Sequence, residues 1–453
     1  MASDCHTASI MICGAGYAGL TAAYQLAVKR NVTDIIIVDP QPPLTLTSNK
    51  GTEGYRTWWP DRTMMRFINH SIDLLEEAML SSGHPEWLNR RGYAFFTARP
   101  DEAERLRQQA QHVASLGAGD YREHPGATPY QPAPLTEFRD QPVGIDMMLD
   151  TDLIRHHYPF LRDDVIAMAH VRRAGFFQSW SFGQWMLEQV QARGVRVRQD
   201  RFTRIDATGG RIRAVHLASG DQVQTDTLVM AVGHYLKTVA RLLDIDIPVF
   251  NEIHAKVTLR DVHGVVPRHV PFMLWNDPVR LAWNEAERQQ WAASSGTQWL
   301  LDTIPAGVHF RPRGEQDLLL IWTFEDYAVD TPVYPPPFNP HYGEVLIRGL
   351  ADMIPGLSVY FGQGHAVQVD GGYYCKTPEN RPLIGPLPVE GAYVLGALTG
   401  YGLMASQAAG DLLAAHITGE RLPDDAKAFL LSRYDDPAYQ AEMARLDAAS
   451  GQL

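Results

Sequence analysis

Ile10-Met11-Ile12-Cys13 is an apolar run that passes directly into Gly14-Ala15-Gly16-Tyr17-Ala18-Gly19, a Gly-x-Gly-x-x-Gly spacing. Glycines so placed between a strand and a helix can hold a diphosphate. Gly14 permits the tight turn, Gly16 lets backbone approach the pyrophosphate, and Gly19 allows close helix–strand packing. Ala15, Tyr17 and Ala18 lie where backbone N–H groups and the dipole at the start of a helix favour negative charge. Asp39 stands 20 residues past Gly19, closing the apolar run Ile35 to Val38. A carboxylate there hydrogen-bonds a ribose, and Pro40 follows it directly. Together these residues read as a dinucleotide site. Gly117-Ala118-Gly119 has no third glycine at the needed offset. One dinucleotide is therefore expected, with reducing power coming from an organic substrate rather than a nicotinamide.

Other residues could act on such a substrate. Arg56, in the stretch Gly51 to Trp59, carries a planar guanidinium that can grip a carboxylate bidentately. The same arginine could instead pair with Glu53 or with a phosphate. Lys256, on an apparent strand from Ala255 to Leu259, is a further candidate cation, as are Arg311 and Arg381. Tyr373 and Tyr374 are placed either to hydrogen-bond substrate or to fill a strand core. His156 and His157 are adjacent and would not face one ion, so no metal site is expected. Cys5, Cys13 and Cys375 lack C-x-x-C spacing, which implies neither a disulfide framework nor an iron–sulfur or zinc centre.

The elements that must position these residues follow from periodicity. Residues 9–39 read as one βαβ unit, and Met64 to Ser81 as a helix. Residues 93–150 look irregular, with Gly and Pro clusters. Gln184 to Gly194 reads as a helix and Val195 to Arg198 as a strand. A hairpin over Ile212 to Leu217 and Gln222 to Val229 leads to the small-residue turn Ala231-Val232-Gly233. Trp275, Trp283, Trp291, Trp299 and Trp322 fall in a proline-rich stretch, 239–364, that suggests a mixed sheet. With 453 residues, two domains are the natural expectation. The expected fold class is α/β: a Rossmann-like dinucleotide domain from 1–92, 151–238 and 365–453, interleaved with a β-rich substrate domain from 93–150 and 239–364. The tail beyond Pro423 should end as a surface helix. Hydrophobic residues at 45% and charged ones at 20% are ordinary for a soluble globular chain. A formal net charge of -12 argues against nucleic acid or an anionic membrane surface as partner. The apolar stretch Ile10 to Val28 is broken by glycines, so no transmembrane segment is expected, and the expected location is cytoplasmic.

The fingerprint, the Ala231-Val232-Gly233 turn, Thr377-Pro378 to Gly385, and the loop Gly400-Tyr401-Gly402-Leu403-Met404 with its alanine-rich helix come in an order that resembles the D-amino-acid oxidase superfamily. That group includes glycine and sarcosine oxidases and dimethylglycine and proline dehydrogenases, and the resemblance covers roughly half of the chain. It implies FAD as cofactor. It places Ser48, Asn49, Lys50, Gly51, Thr52 and Glu53 at the pyrophosphate and flavin, and Phe202 near the adenine. Ala231 and Gly233 line the nucleotide, and Gly400 to Met404 lie at the flavin ring. A flavin-linking cysteine of sarcosine oxidase-like members corresponds to Gly372 here, and no histidine lies between Thr45 and Trp59. The FAD is therefore expected to be noncovalent. A family lysine corresponds to Met404, so one cationic anchor is absent or replaced.

The implied activity is oxidation of the C–N bond of an amino acid, or an N-alkyl or cyclic amino acid, to an imine, with oxygen or a quinone taking the electrons. The substrate is a small molecule, and a homo-oligomer is compatible with the chain. Two alternatives remain: a 2-hydroxy acid or polyol dehydrogenase, for which His234 or His309 would supply a base, and a flavin-carrying subunit of a larger dehydrogenase.

Overall fold

A computed structural model describes residues 5–124, 126, 130–136, 138–325, 327–443 and 445. Its organising element is a six-stranded sheet. In spatial order the strands are Arg196–Gln199, Ile35–Asp39, Ile10–Cys13, Thr227–Met230, Ala392–Gly396 and Leu383–Pro386. All neighbours are parallel except the last pair. The central strands are apolar on both faces because both are covered. Ile10, Ile12, Ile35, Ile37 and Val229 share one core with the helices Tyr17–Tyr24, Ser179–Ala192 and Gly402–Thr418. Met11, Cys13, Ile36, Val38, Leu228 and Met230 face a different core. That core is shared with a four-stranded sheet of Cys5–Thr7, Gln222–Gln224, Arg211–Leu217 and Phe202–Thr208. The period of two along each strand thus separates a helical layer from a second β-layer.

The larger sheet is mixed. The strand Phe250–Arg260 pairs antiparallel with Asp317–Ile321 on one side and with Gln368–Lys376 on the other. His309–Arg313, Phe272–Trp275, Tyr93–Thr97, Ala167–Val171, Ile145–Met148 and Tyr121–His124 continue it. The amphipathic helix Tyr342–Met353 packs on this sheet, sharing a core with Trp275, Phe310 and Trp322.

Local chemistry explains several boundaries. The helix Arg62–Ser82 begins where the Asp61 side chain accepts from the Met64 N–H. It ends at Gly83, in the left-handed region with φ 77°. Between them Met64, Phe67, Ile68, Ile72, Leu75 and Met79 bury one face.

Two expectations need correction. Residues 93–150 are more regular than their Gly and Pro clusters imply. They contain the strands Tyr93–Thr97, Tyr121–His124 and Ile145–Met148, and the helix Pro100–Val113. That helix is polar enough to hide its stripe, which is Leu106, Ala110 and Val113, but Pro100 at its start and Asp101 and Glu102 in its first turn are ordinary opening signals. The domain assignment also differs at two strands. Ala167–Val171 and Gln368–Lys376, expected with the dinucleotide domain, hydrogen-bond within the larger sheet. Strand pairing is a long-range choice that the two segments do not encode locally. Among the described residues, no helix is long and apolar enough to cross a membrane.

The tail runs back to the Thr377–Gly385 segment. Arg433, with its side chain 1% exposed, binds the Glu379 carboxylate at 2.6 Å and donates to the Pro382 and Arg381 carbonyls. Glu379 also accepts from the Tyr434 and Tyr439 hydroxyls. Breaking a buried pair leaves one charge uncompensated. Arg433→Met should therefore lower stability by about 3–5 kcal/mol, read as a reduced urea midpoint. An unchanged midpoint would show that the tail is not held by this pair.

Candidate active site

A cavity of about 940 Å³ opens at the carboxyl ends of the parallel strands. One wall is the fingerprint, through Gly14, Gly16, Tyr17 and Ala18. Gly14 has φ +107°, and a Cβ there would stand 2.3 Å from the Ala231 carbonyl oxygen, so no other residue fits. Tyr17 N–H donates to the Ser48 hydroxyl at 3.0 Å, pinning the next loop against the start of the helix. The Asp39 carboxylate accepts from the Ala15 and Gln41 N–H groups at 2.7 and 2.8 Å. Burial nevertheless raises its pKa above the ordinary value. Across the cavity lie Gly400, Gly402 and Leu403, at the start of the helix Gly402–Thr418, whose first turn carries no acidic residue. Two helix starts therefore face one cavity, each presenting N–H groups and a positive dipole end.

The structure gathers most of the expected cofactor residues here. Gly14, Gly16, Tyr17, Ala18, Asp39, Pro40, Ser48, Gly51, Phe202, Ala231, Gly233, Gly400, Gly402 and Leu403 line the cavity, and so does Tyr374. The others stand behind the wall. Ala15 orients Asp39. Gly19 packs on Gly14, whose carbonyl oxygen would lie 1.9 Å from a Cβ. Lys50 pairs with Asp370 at 2.9 Å, and Asn49 lies in the same short helical turn, Leu46–Asn49, that precedes it. Thr52 offers its carbonyl to Arg311 Nε at 2.7 Å, and Glu53 binds the Arg311 guanidinium. Gly372 faces Thr47, Tyr401 donates to the Asn380 carbonyl, and Met404 is buried.

The candidate substrate residues separate. Lys256 is buried, and its ammonium donates to the carbonyl of Gly51, itself part of the cavity wall, at 3.2 Å. Burial lowers its pKa to about 8; Asp370 and Glu53 oppose the shift, while Arg313 and Arg311 add to it. Tyr374 stacks on the His254 ring at 4.0 Å, and burial raises its hydroxyl to about 12. Arg56 is buried at the end of the strand Gly54–Arg56, with its guanidinium over the rings of Trp59 and Tyr93 at 5.3 and 5.7 Å. It lies behind the loop rather than on the cavity surface. Arg381 is a correction: its guanidinium pairs with Asp61 at 3.2 Å and lies over Tyr439, away from the cavity. Its charge serves the tail and the helix start at Asp61.

Other cavity residues escaped sequence reasoning. Leu44 to Thr47, Tyr334, Leu395 and Ala397 to Thr399 line the wall but share no local pattern. His234 was recognisable by its position after Gly233. Its Nε2 lies 3.0 Å from the Tyr334 hydroxyl, and burial lowers its pKa to about 4, so the ring is neutral at neutral pH. His309 is buried away from the cavity, with Nδ1 2.7 Å from the Gly307 carbonyl. Among the described residues, no group of three His, Cys, Asp or Glu side chains could hold a metal.

Solved structures with this fold include L-proline dehydrogenase from P. horikoshii, with 16% identity, a TM-score of 0.72 and coverage of 95% of this chain and 98% of that one. Glycine oxidase from Geobacillus kaustophilus shows 14% identity and a TM-score of 0.71, over 94% and 99% of the two chains. Iminodiacetate oxidase from Chelativorans sp. BNC1 shows 17% identity and a TM-score of 0.68, over 93% and 98%. No curated protein matches the chain in sequence. The family described as FAD dependent oxidoreductase matches residues 9–416. The glycine cradle, the Asp39 carboxylate on the cavity wall and the two helix starts fit that cofactor, and with the match running through nearly the whole chain, the protein belongs to the FAD dependent oxidoreductase family.

Proposed function

We propose that this FAD-dependent oxidoreductase oxidises the C–N bond of an amino acid, or of an N-alkyl or cyclic amino acid. The observation that carries the reading is the group of buried cations behind one loop of the cofactor cavity. Lys256 donates to the Gly51 carbonyl, Arg311 to the Thr52 carbonyl, and Arg56 ends the strand that follows. Such a set supports recognition of a carboxylate-bearing substrate beside the cofactor. FAD, when bound, supplies the hydride acceptor. The chain's own residues orient the substrate and exclude water: Tyr374 forms an aromatic wall, and the cations behind it favour one carboxylate orientation. An amine bound as free base needs no dedicated proton acceptor, and the imine is hydrolysed in water. The solved relatives named for proline, glycine and iminodiacetate support the same substrate class.

Oxidation of a 2-hydroxy acid is the second reading, favoured by the neutral His234 ring on the cavity wall, which could take a hydroxyl proton. An anaerobic panel separates the two. Bleaching of the flavin by amino or N-methyl amino acids is expected, whereas bleaching by 2-hydroxy acids alone would reverse the assignment.

Noncovalent attachment belongs to the same proposal. Gly372 offers no nucleophile, and burial holds the Cys375 thiol at about 12, far from its reactive thiolate. Acid precipitation should leave the yellow chromophore in the supernatant. Flavin retained on the denatured chain would identify a covalent link instead.

Lys256 and Arg56 make separable contributions. If Lys256 helps to hold the carboxylate, KM should rise as pH increases through about 8, where its ammonium loses charge. Lys256→Arg should flatten that rise, since a guanidinium keeps its proton; a wild-type KM that is level across this range would remove Lys256 from binding. Arg56→Met should lower kcat/KM by roughly 2–5 kcal/mol with little change in flavin content. Loss of FAD with normal turnover of the remaining holoenzyme would assign Arg56 to the cofactor side.

A further inference from the structure

A second cavity, of about 370 Å³, shares no lining residue with the FAD cavity. Arg91, Arg268 and His269 line it, with Phe176, Leu135 and Pro312 as its apolar part. The hydrogen bonds of its two arginines go to neutral groups. Arg91 donates Nε–H to the Leu135 carbonyl at 3.0 Å and Nη1–H to the Arg268 carbonyl at 2.8 Å. Arg268 donates from Nη2 to the carbonyls of Arg313, Gly314 and Asp317. Its Nε and Nη1 are buried with no hydrogen-bond partner among the described residues. Neither arginine forms an ion pair among those residues. A third guanidinium, Arg311, shares the Phe176 ring: it lies 4.8 Å from the ring centroid, and Arg91 lies 5.3 Å from it.

Among the described residues, the nearby acids are engaged by other groups. Asp261 accepts from the Val265 and Val266 N–H groups and the Tyr360 hydroxyl. The Asp317 carboxylate faces Arg260 at 3.9 Å, and Glu53 is taken by Arg311. Burial holds both Arg91 and Arg268 below the ordinary guanidinium value. The charges of Arg268 and Arg311 lower Arg91 further, while Asp261 and Asp317 partly offset the shift at Arg268. Half-buried guanidinium groups that have no counter-ion among the described residues are costly, the more so when they repel one another. In a chain with a formal charge of -12 this concentration of positive charge is local and specific. A planar carboxylate can engage guanidinium donors in pairs, and a small apolar body would cover Leu135, which is 49% exposed, together with Phe176.

We propose that this cavity is a second ligand site, separate from the FAD cavity, and that it takes an organic carboxylate with a compact apolar or aromatic body. An occupant would contact Phe176, the ring that Arg311 also contacts, and Arg311 holds the Thr52 and Glu53 end of the cofactor loop.

Calorimetric titration of the FAD-loaded protein with phenylacetate, at low salt and without turnover, tests this directly. The expected result is a binding event that leaves the visible flavin spectrum unchanged. Arg268→Gln and His269→Glu should each weaken it by at least about tenfold. His269 is exposed, so His269→Glu reports on the site even if Arg268→Gln impairs folding. Heat appearing only together with a flavin spectral change, or affinity unaltered in both variants, would overturn the proposal. Equal or tighter binding of inorganic phosphate would reject the carboxylate class. The readout uses no oxidation step, so its failure is distinct from failure of the C–N assignment.

Discussion

The meeting of two backbones at Gly14 and Ala231 sets the geometry on which the remaining site depends. The strands Ile10–Cys13 and Thr227–Met230 are hydrogen-bonded neighbours. The turn leaving the first must pass the carbonyl closing the second at a distance that leaves no room for a Cβ. Gly19 then returns the helix onto the same turn, within contact of the Gly14 carbonyl. Once these approaches are made, the helix start must point across the carboxyl ends of the sheet. The orphan N–H groups of its first turn are left facing a cavity instead of protein. Ser48 and Asp39 fix the flanks of that cavity by accepting from Tyr17 and Ala15. The anion-binding character of the site is therefore a consequence of topology and of three missing side chains.

The cavity also explains why the two larger sheets cannot be treated as independent units. The strand Gln368–Lys376 takes its hydrogen bonds from Phe250–Thr258, yet it brings Tyr373, Tyr374 and Cys375 to the cofactor wall. The register puts Tyr374 opposite Glu252 and Asp370 opposite Lys256. One face of this pair of strands therefore carries both the aromatic wall and the charged groups beside it. The chain then turns through Thr377–Gly385 into the antiparallel edge of the six-stranded sheet and on to the closing helix. The two sheets thus meet at one cavity, to which both contribute wall residues.

What could be read from the sequence, and what could not, divides along the range of the interaction responsible. The fingerprint, Asp39 and the helix after Asp61 are dictated by neighbours a few residues away, so spacing and residue type suffice. Arg381 was misread because its partner, Asp61, lies far upstream, and an arginine beside a flavin-proximal segment looks the same whether or not its charge is already matched. Ala167–Val171 is an apolar strand with no local mark of which sheet accepts it. The stripe of Pro100–Val113 was masked by the polar residues around it. Glu53 illustrates the limit well: it stands in a loop expected at the flavin, but its carboxylate is turned to Arg311 and Ser179 and so supports the loop from behind.

The electrostatics of the site run against those of the chain, and the scale of screening decides which matters. The formal charge of -12 is spread over the whole molecule, and at physiological salt its influence falls off over about 8 Å. Inside the cavity the fixed charges are mixed: the Asp39 carboxylate lines the wall, and positive groups lie close to it. Two helix starts face it, and Lys256 and Arg311 stand immediately behind the Gly51–Thr52 backbone, in a setting from which much of the water is excluded. Glu53 and Asp370 moderate this group: Lys256, with no carboxylate at hydrogen-bonding distance among the described residues, has its pKa lowered to about 8. That shift is set first by desolvation; of the charges around it, Asp370 and Glu53 oppose it and Arg313 and Arg311 add to it. A small anion that enters meets the N–H groups and positive dipole ends of two helix starts, with the Asp39 carboxylate as the opposing charge on the wall. The backbone of the two helix starts, rather than the net charge of the chain, therefore sets the field that a bound diphosphate would meet.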